Sequence, residues 1–99
     1  MQISIHTSGI ALSKELTTHI QRKMRLALSR QEPYINTISI LLTSVVETKN
    51  NNHKHCRLTL AIVNRPDIVI EDTQMDLNCA IDRVLHKASR MMERLNFPT

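Results

Sequence analysis

Apolar and polar positions alternate from Gln2 to His6, with Ile3 and Ile5 on one side, and the run stops at Thr7-Ser8-Gly9. A period of two marks a half-buried strand, and the Ser-Gly pair marks a turn. Ser13 is a good helix N-cap. After it, Leu16, Ile20, Met24, Ala27 and Leu28 recur at helical spacing, which predicts an amphipathic helix closed by Pro33 and its neighbours. From Ile35 to Val46 the period returns to two: Ile38, Ile40, Leu42 and Val46 share one face, and Thr37, Ser39 and Thr43 the other.

The polar run Lys49 to Lys54 reads as a hairpin loop. A second long strand follows, with Cys56, Leu58, Leu60 and Ile62 inward and Arg57 and Thr59 outward. Asn64-Arg65-Pro66-Asp67 then turns the chain into a shorter strand carrying Ile68 and Ile70. Thr73-Gln74-Met75-Asp76 has the form of a capping box opening a last helix. Its apolar face is Leu77, Ala80, Ile81, Val84, Leu85, Ala88, Met91 or Met92, and Leu95, and Pro98 ends it. The order is β-α-β-β-β-α. Each helix has one apolar face, so the expected α+β fold is a four-stranded mixed sheet with both helices packed on one side. The first crossover predicts parallel pairing of the first two strands, and hairpins make the remaining pairs antiparallel.

Ninety-nine residues, 41% hydrophobic and 22% charged, suit a single folded domain over residues 1–99 with one modest core. No stretch is apolar enough to cross a bilayer, and Met1 to Ser13 lacks the look of a secretory leader. The two cysteines, Cys56 and Cys79, each fall among apolar residues, where a packed, reduced thiol is expected. These features predict a cytoplasmic protein.

The net charge of +4 is mild, but its distribution is uneven. Lys14 to Arg30 holds five bases and one acid, Asp67 to Asp82 five acids and no Lys or Arg, and Arg83 to Arg94 four bases and one acid. At about 100° per residue, Arg83, Lys87, Arg90 and Arg94 fall within roughly 60° of one another, beside the apolar face of the last helix. Such a row suits a phosphate backbone. On the first helix, Lys14, Arg22 and Arg25 lie roughly opposite the apolar face, and Lys23 sits at its edge with its stem free to run along the core.

The same rows also suit a plainly solvated surface, because acids early and cations late in a helix complement its dipole. A regulatory protein-interaction module is therefore an alternative to an RNA binder. With Tyr34 and Phe97 as the only aromatics, stacking of unpaired bases is disfavoured, and shape and phosphate recognition of structured RNA remains. After its first strand, the element order is similar to that of double-stranded RNA-binding domains.

Little else carries chemistry. His53, His55 and Cys56 are close in sequence, but an alternating strand sends Cys56 to the opposite side, so a solvated loop is expected rather than a metal site. Glu71, Asp72 and Asp76 fit helix N-terminal capping. Gly9 is the lone glycine, so no glycine-rich phosphate loop exists. No enzyme activity, metal, cofactor or small-molecule substrate is expected.

The opening Met1-Gln2-Ile3-Ser4-Ile5, the spacing to Leu16, and the segment Met75-Asp76-Leu77-Asn78-Cys79-Ala80-Ile81-Asp82 resemble the ribosome hibernation-promoting factors and ribosome-associated translation inhibitors. The clearest part is Asp76 to Asp82, an acid-to-Ala-Ile-Asp stretch preceding a basic helix. The resemblance spans nearly the whole chain and corresponds to the short form of the family. It implies binding to the small ribosomal subunit and its ribosomal RNA, with translation blocked in stress or stationary phase. The contacts it implies come from basic helix residues, matching Arg22, Lys23, Arg25, Arg83, Lys87, Arg90 and Arg94. If this ribosome activity is absent, another structured RNA is the next candidate partner.

Overall fold

The computed structural model describes residues 1–48 and 51–97. Among them the chain runs β1 (Gln2–Ser8), α1 (Lys14–Ala27), a 3-10 turn (Glu32–Tyr34), β2 (Ile35–Thr48), β3 (Asn51–Ile62), β4 (Ile68–Gln74) and α2 (Leu77–Arg94). The four strands form one sheet in sequence order. β1 pairs parallel with β2, and β2–β3 and β3–β4 pair antiparallel. The expected α+β architecture, with α1 making the parallel crossover, is therefore present.

Alternation decides what lies under the helices. Ile3, Ile38, Leu60 and Ile68 stand in register across the sheet, and the next helix-side row is Ile5, Ile40, Leu58 and Ile70. Ile38, Ile40, Leu42, Cys56, Leu58 and Leu60 are fully buried, with Ile20, Met24 and Leu28 from α1 and Ala80, Ile81, Val84 and Ala88 from α2 above them. Between Ile35 and Thr37 the register with β3 shifts, so Asn36 is an extra residue. That bulge turns Ile35 inward, onto the core beside Ile62, although strict alternation from Ile38 would point it outward.

Ser13 caps α1 as expected: the Leu16 amide donates to Ser13 Oγ at 3.1 Å. The choice between Met91 and Met92 resolves to Met92, which is 1% exposed against 39% for Met91. Four local expectations are corrected. Thr7 and Ser8 remain in β1, paired with Leu42 and Thr43, rather than forming the turn. Asn51 to Lys54 belong to β3, paired with Thr48 back to Ser44, rather than to a loop. Backbone pairing continues outward there because its hydrogen bonds are indifferent to side-chain polarity.

The third correction is the α2 cap. Thr73 and Gln74 are held in β4 by pairing with His55 and Lys54, and Asp76 is the N-cap, its Oδ2 accepting from the Cys79 amide at 2.9 Å. Fourth, only Cys56 is a packed thiol; Cys79 is exposed, on the solvent side of the first turn of α2. The Val46 side chain, Lys49, Asn50 and Pro98 lie outside the described residues. α2 gives way at Leu95 and Asn96, the latter at φ 53°, a left-handed conformation that asparagine tolerates better than most residues.

Candidate nucleic-acid interface

α2 packs its apolar face down on the sheet, and its two flanks differ in chemistry. The flank toward α1 carries Asp82, Leu85, His86 and Ser89, which with Lys23, Leu26 and Ala27 line the groove between the helices. The flank toward β4 carries Arg83, Lys87, Arg90 and Arg94. The last three border a shallow groove with Val69, Ile70 and Met91, and His86, on the crest of the helix, lines this groove as well. The row read from the helical wheel thus stays together in space, on the β4 side of the molecule.

Its two halves are in different electrostatic states. Arg83 Nε donates to Asp72 Oδ2 at 3.0 Å, and Lys87 Nζ donates to the same oxygen at 2.7 Å. Gln74 Nε2 donates to Asp72 Oδ1 at 2.8 Å. The Asp72 side chain is 8% exposed, whereas those of Arg83 and Lys87 remain 55% and 44% exposed. The hydrogen bond from Lys87, helped by those from Gln74 and Arg83, holds the Asp72 carboxyl well below the usual carboxylate range against the opposing cost of burial. Arg90 and Arg94 make no ion pair among the described residues.

The α1 cations divide similarly. Lys23 bridges the inter-helix groove to Asp82, with its side chain about three-quarters covered, in keeping with the edge position expected for it. Arg25 reaches Glu32 at 3.5 Å, a loose and exposed pair that contributes little. Lys14 and Arg22 border a shallow depression with Glu15, Thr18 and His19, without an ion-pair partner among the described residues. Between Lys23 and the α2 row stands Asp82, which pairs with Lys23 and lines a depression with Arg83 and Lys87.

Asp72 serves the α2 cations rather than capping the helix: the alternation that turns Ile68 and Ile70 inward also turns Asp72 inward, opposite Cys56. The opposite face of the sheet carries a second network: Glu71 Oε1 lies 3.0 Å from both His55 Nε2 and Arg57 Nε, and His55 Nδ1 lies 2.7 Å from Thr73 Oγ1. His53 and His55 share that face while Cys56 is buried on the other, and among the described residues no three side chains are grouped as metal ligands. Among the same residues no helix is long and apolar enough to cross a membrane.

In fold, the chain is similar to the N-terminal domain of Protein Y from Thermus thermophilus, with a TM-score of 0.79 and 13% sequence identity over 97% of this chain and 100% of that one. A ribosomal subunit interface protein from Coxiella burnetii is similar at a TM-score of 0.76 and 17% identity, covering 96% of this chain and 97% of that one. No curated protein matches the chain in sequence. Residues 3–96 match the family described as sigma 54 modulation protein / S30EA ribosomal protein. That match takes in both helices and, but for Gln2, all four strands, and the chain belongs to this family.

Proposed function

We propose that this protein is a ribosome-associated factor of the cytoplasm, which binds the small ribosomal subunit and its RNA through basic helix faces and inhibits translation in stress or stationary phase. The observation that carries the reading is the row Arg83, Lys87, Arg90 and Arg94 along one flank of α2, in a chain whose family is described as ribosomal. From Arg83 to Arg94 the helix rises about 16 Å, a length over which cations can follow several phosphates of a structured RNA. Lys14 and Arg22 supply a second exposed basic surface on α1, and Lys23 and Arg25 are the further α1 cations of this reading, paired with Asp82 and Glu32. The family membership raises the ribosome above other polyanions as the partner. The proposed work is binding, and the buried Cys56 thiol takes no part in it: burial, and secondarily Asp72, push its pKa up to about 12.

A second reading, a protein-interaction module, is favoured by one observation. Val69 is 55% exposed and, with Met91, offers apolar surface beside Arg90 and Arg94. Pelleting with ribosomes across a salt series separates the readings. Phosphate contacts predict association that weakens steeply with salt. The R90E/R94E double variant tests the row without disturbing the Asp72 bridge, and it should fold normally and lose ribosome association. Undiminished association rejects the row as the contact surface. Association that resists salt supports the protein-interaction reading, and RNA affinity without ribosome comigration supports another structured RNA.

A further inference from the structure

We propose that Arg83 and Lys87 form a phosphate-binding site that the protein fills with its own Asp72 carboxylate, so that Asp72 sets how strongly the α2 row attracts RNA. The inference rests on the RNA-binding reading above and deepens it to one site and its ligand, a phosphodiester oxygen. Arg83 and Lys87 stand four residues apart on one helix face, where like charges repel. They converge nonetheless on a single oxygen, Asp72 Oδ2, at 3.0 and 2.7 Å. The other oxygen accepts from Gln74. A carboxylate with both oxygens engaged by a guanidinium, an ammonium and an amide has the donor set that also holds a phosphate.

The site is filled from beneath and open above. Asp72 is nearly enclosed, whereas about half of each cation faces solvent. Arg83 spends Nε on Asp72 and Lys87 one of its three donors, which leaves further N–H groups for an incoming phosphate. The three side chains together carry one net positive charge instead of two. Removing Asp72 takes away the carboxylate that ion-pairs with both cations, without altering the row itself; Asp76 and Asp82 remain nearby in either case.

The test compares D72N with E71Q. Each removes one negative charge from adjacent β4 residues, but Glu71 pairs with His55 and Arg57 on the opposite face of the sheet. On heparin-agarose, a polyanion that needs no ribosomal contact, D72N should elute at higher salt than wild type by more than E71Q does. In an R83M/K87M background D72N should shift elution no more than E71Q. With an RNA duplex, the slope of log affinity against log salt should steepen by about 0.9 for one added phosphate contact. Equal shifts for D72N and E71Q, or an equal D72N shift without Arg83 and Lys87, overturn the inference.

Should D72N fold poorly, the wild-type chain provides the second measurement. With lysines carrying 13C-methyl groups, the Lys87 signal should move as a heparin oligosaccharide is added. A Lys87 signal unmoved at saturation overturns the inference. Wild-type protein that fails to pellet with ribosomes while D72N still outruns E71Q on heparin would reject the ribosomal reading and leave the site standing.

Discussion

The Tyr34 and Phe97 rings stack with centroids 4.5 Å apart and planes 11° from parallel, joining the segment after α2 to the turn before β2. Arg65, from the turn before β4, places its guanidinium 4.8 Å from the Phe97 ring centre. Three segments distant in sequence thus meet on one ring at the end of the fold remote from the Asp72 site. Replacing Phe97 with Ala should cost about 1 kcal/mol beyond the lost buried area, lowering Tm by roughly 4–8 °C per kcal/mol for a domain of this size. Thermal unfolding by circular dichroism measures it, and R65A should lose less, because the exposed cation contributes less than the stack.

Met91 and Met92 are neighbours in sequence with opposite surroundings. M92A opens a cavity in the core and should destabilise by about 2–5 kcal/mol, whereas M91A, on the half-exposed flank, should cost under about 1 kcal/mol. Urea unfolding of both variants checks this. Similar losses would mean that α2 is rotated about its axis relative to the placement described.

Acid should weaken the fold through Asp72 and Glu71. Both carboxyls are held below their ordinary range, Asp72 first by Lys87 and Glu71 first by His55 and then Arg57. A carboxyl whose folded pKa is depressed stabilises above its unfolded value, about 3.9 for Asp, and that contribution fades as pH falls through the folded value. Stability should therefore begin to drop as pH approaches 4 and keep dropping below 3. Urea midpoints at pH 7, 5 and 3 measure the slope, which D72N should flatten.

The two thiols should react differently. At pH 8 a thiol reagent should label Cys79 at once and Cys56 only after denaturant is added, since Cys56 is fully buried with its pKa raised to about 12. Counting thiols before and after unfolding gives one and then two. Two reactive thiols in the native protein would contradict the packing of β3 against the helices.

The element order was legible because each element repeats its own period. Ile38, Ile40 and Leu42 alternate, Ile20, Met24 and Leu28 recur at helical spacing, and burial follows both patterns. Local misreadings arose where a partner strand overruled composition. Asn51 to Lys54 look like a loop, yet β2 runs alongside them, and Thr73 looks like a cap, yet β3 holds it in β4. At Ile35 a bulge overrides alternation, and nothing within β2 itself announces the extra Asn36.

Every cation of the candidate surface was visible as a residue type at a spacing, and the α2 row follows from helix geometry alone. Which of those cations are engaged was decided by tertiary structure. Lys23 finds Asp82 across 59 residues of chain, and Arg83 and Lys87 find Asp72 only because β4 passes beneath that flank of α2. Periodicity is a property of neighbours along the backbone and sorts side chains into inside and outside. Coulomb attraction depends on separation in space, so the split between Arg83 and Lys87, held on a carboxylate, and Arg90 and Arg94, facing solvent, came into being only when sheet and helix packed together.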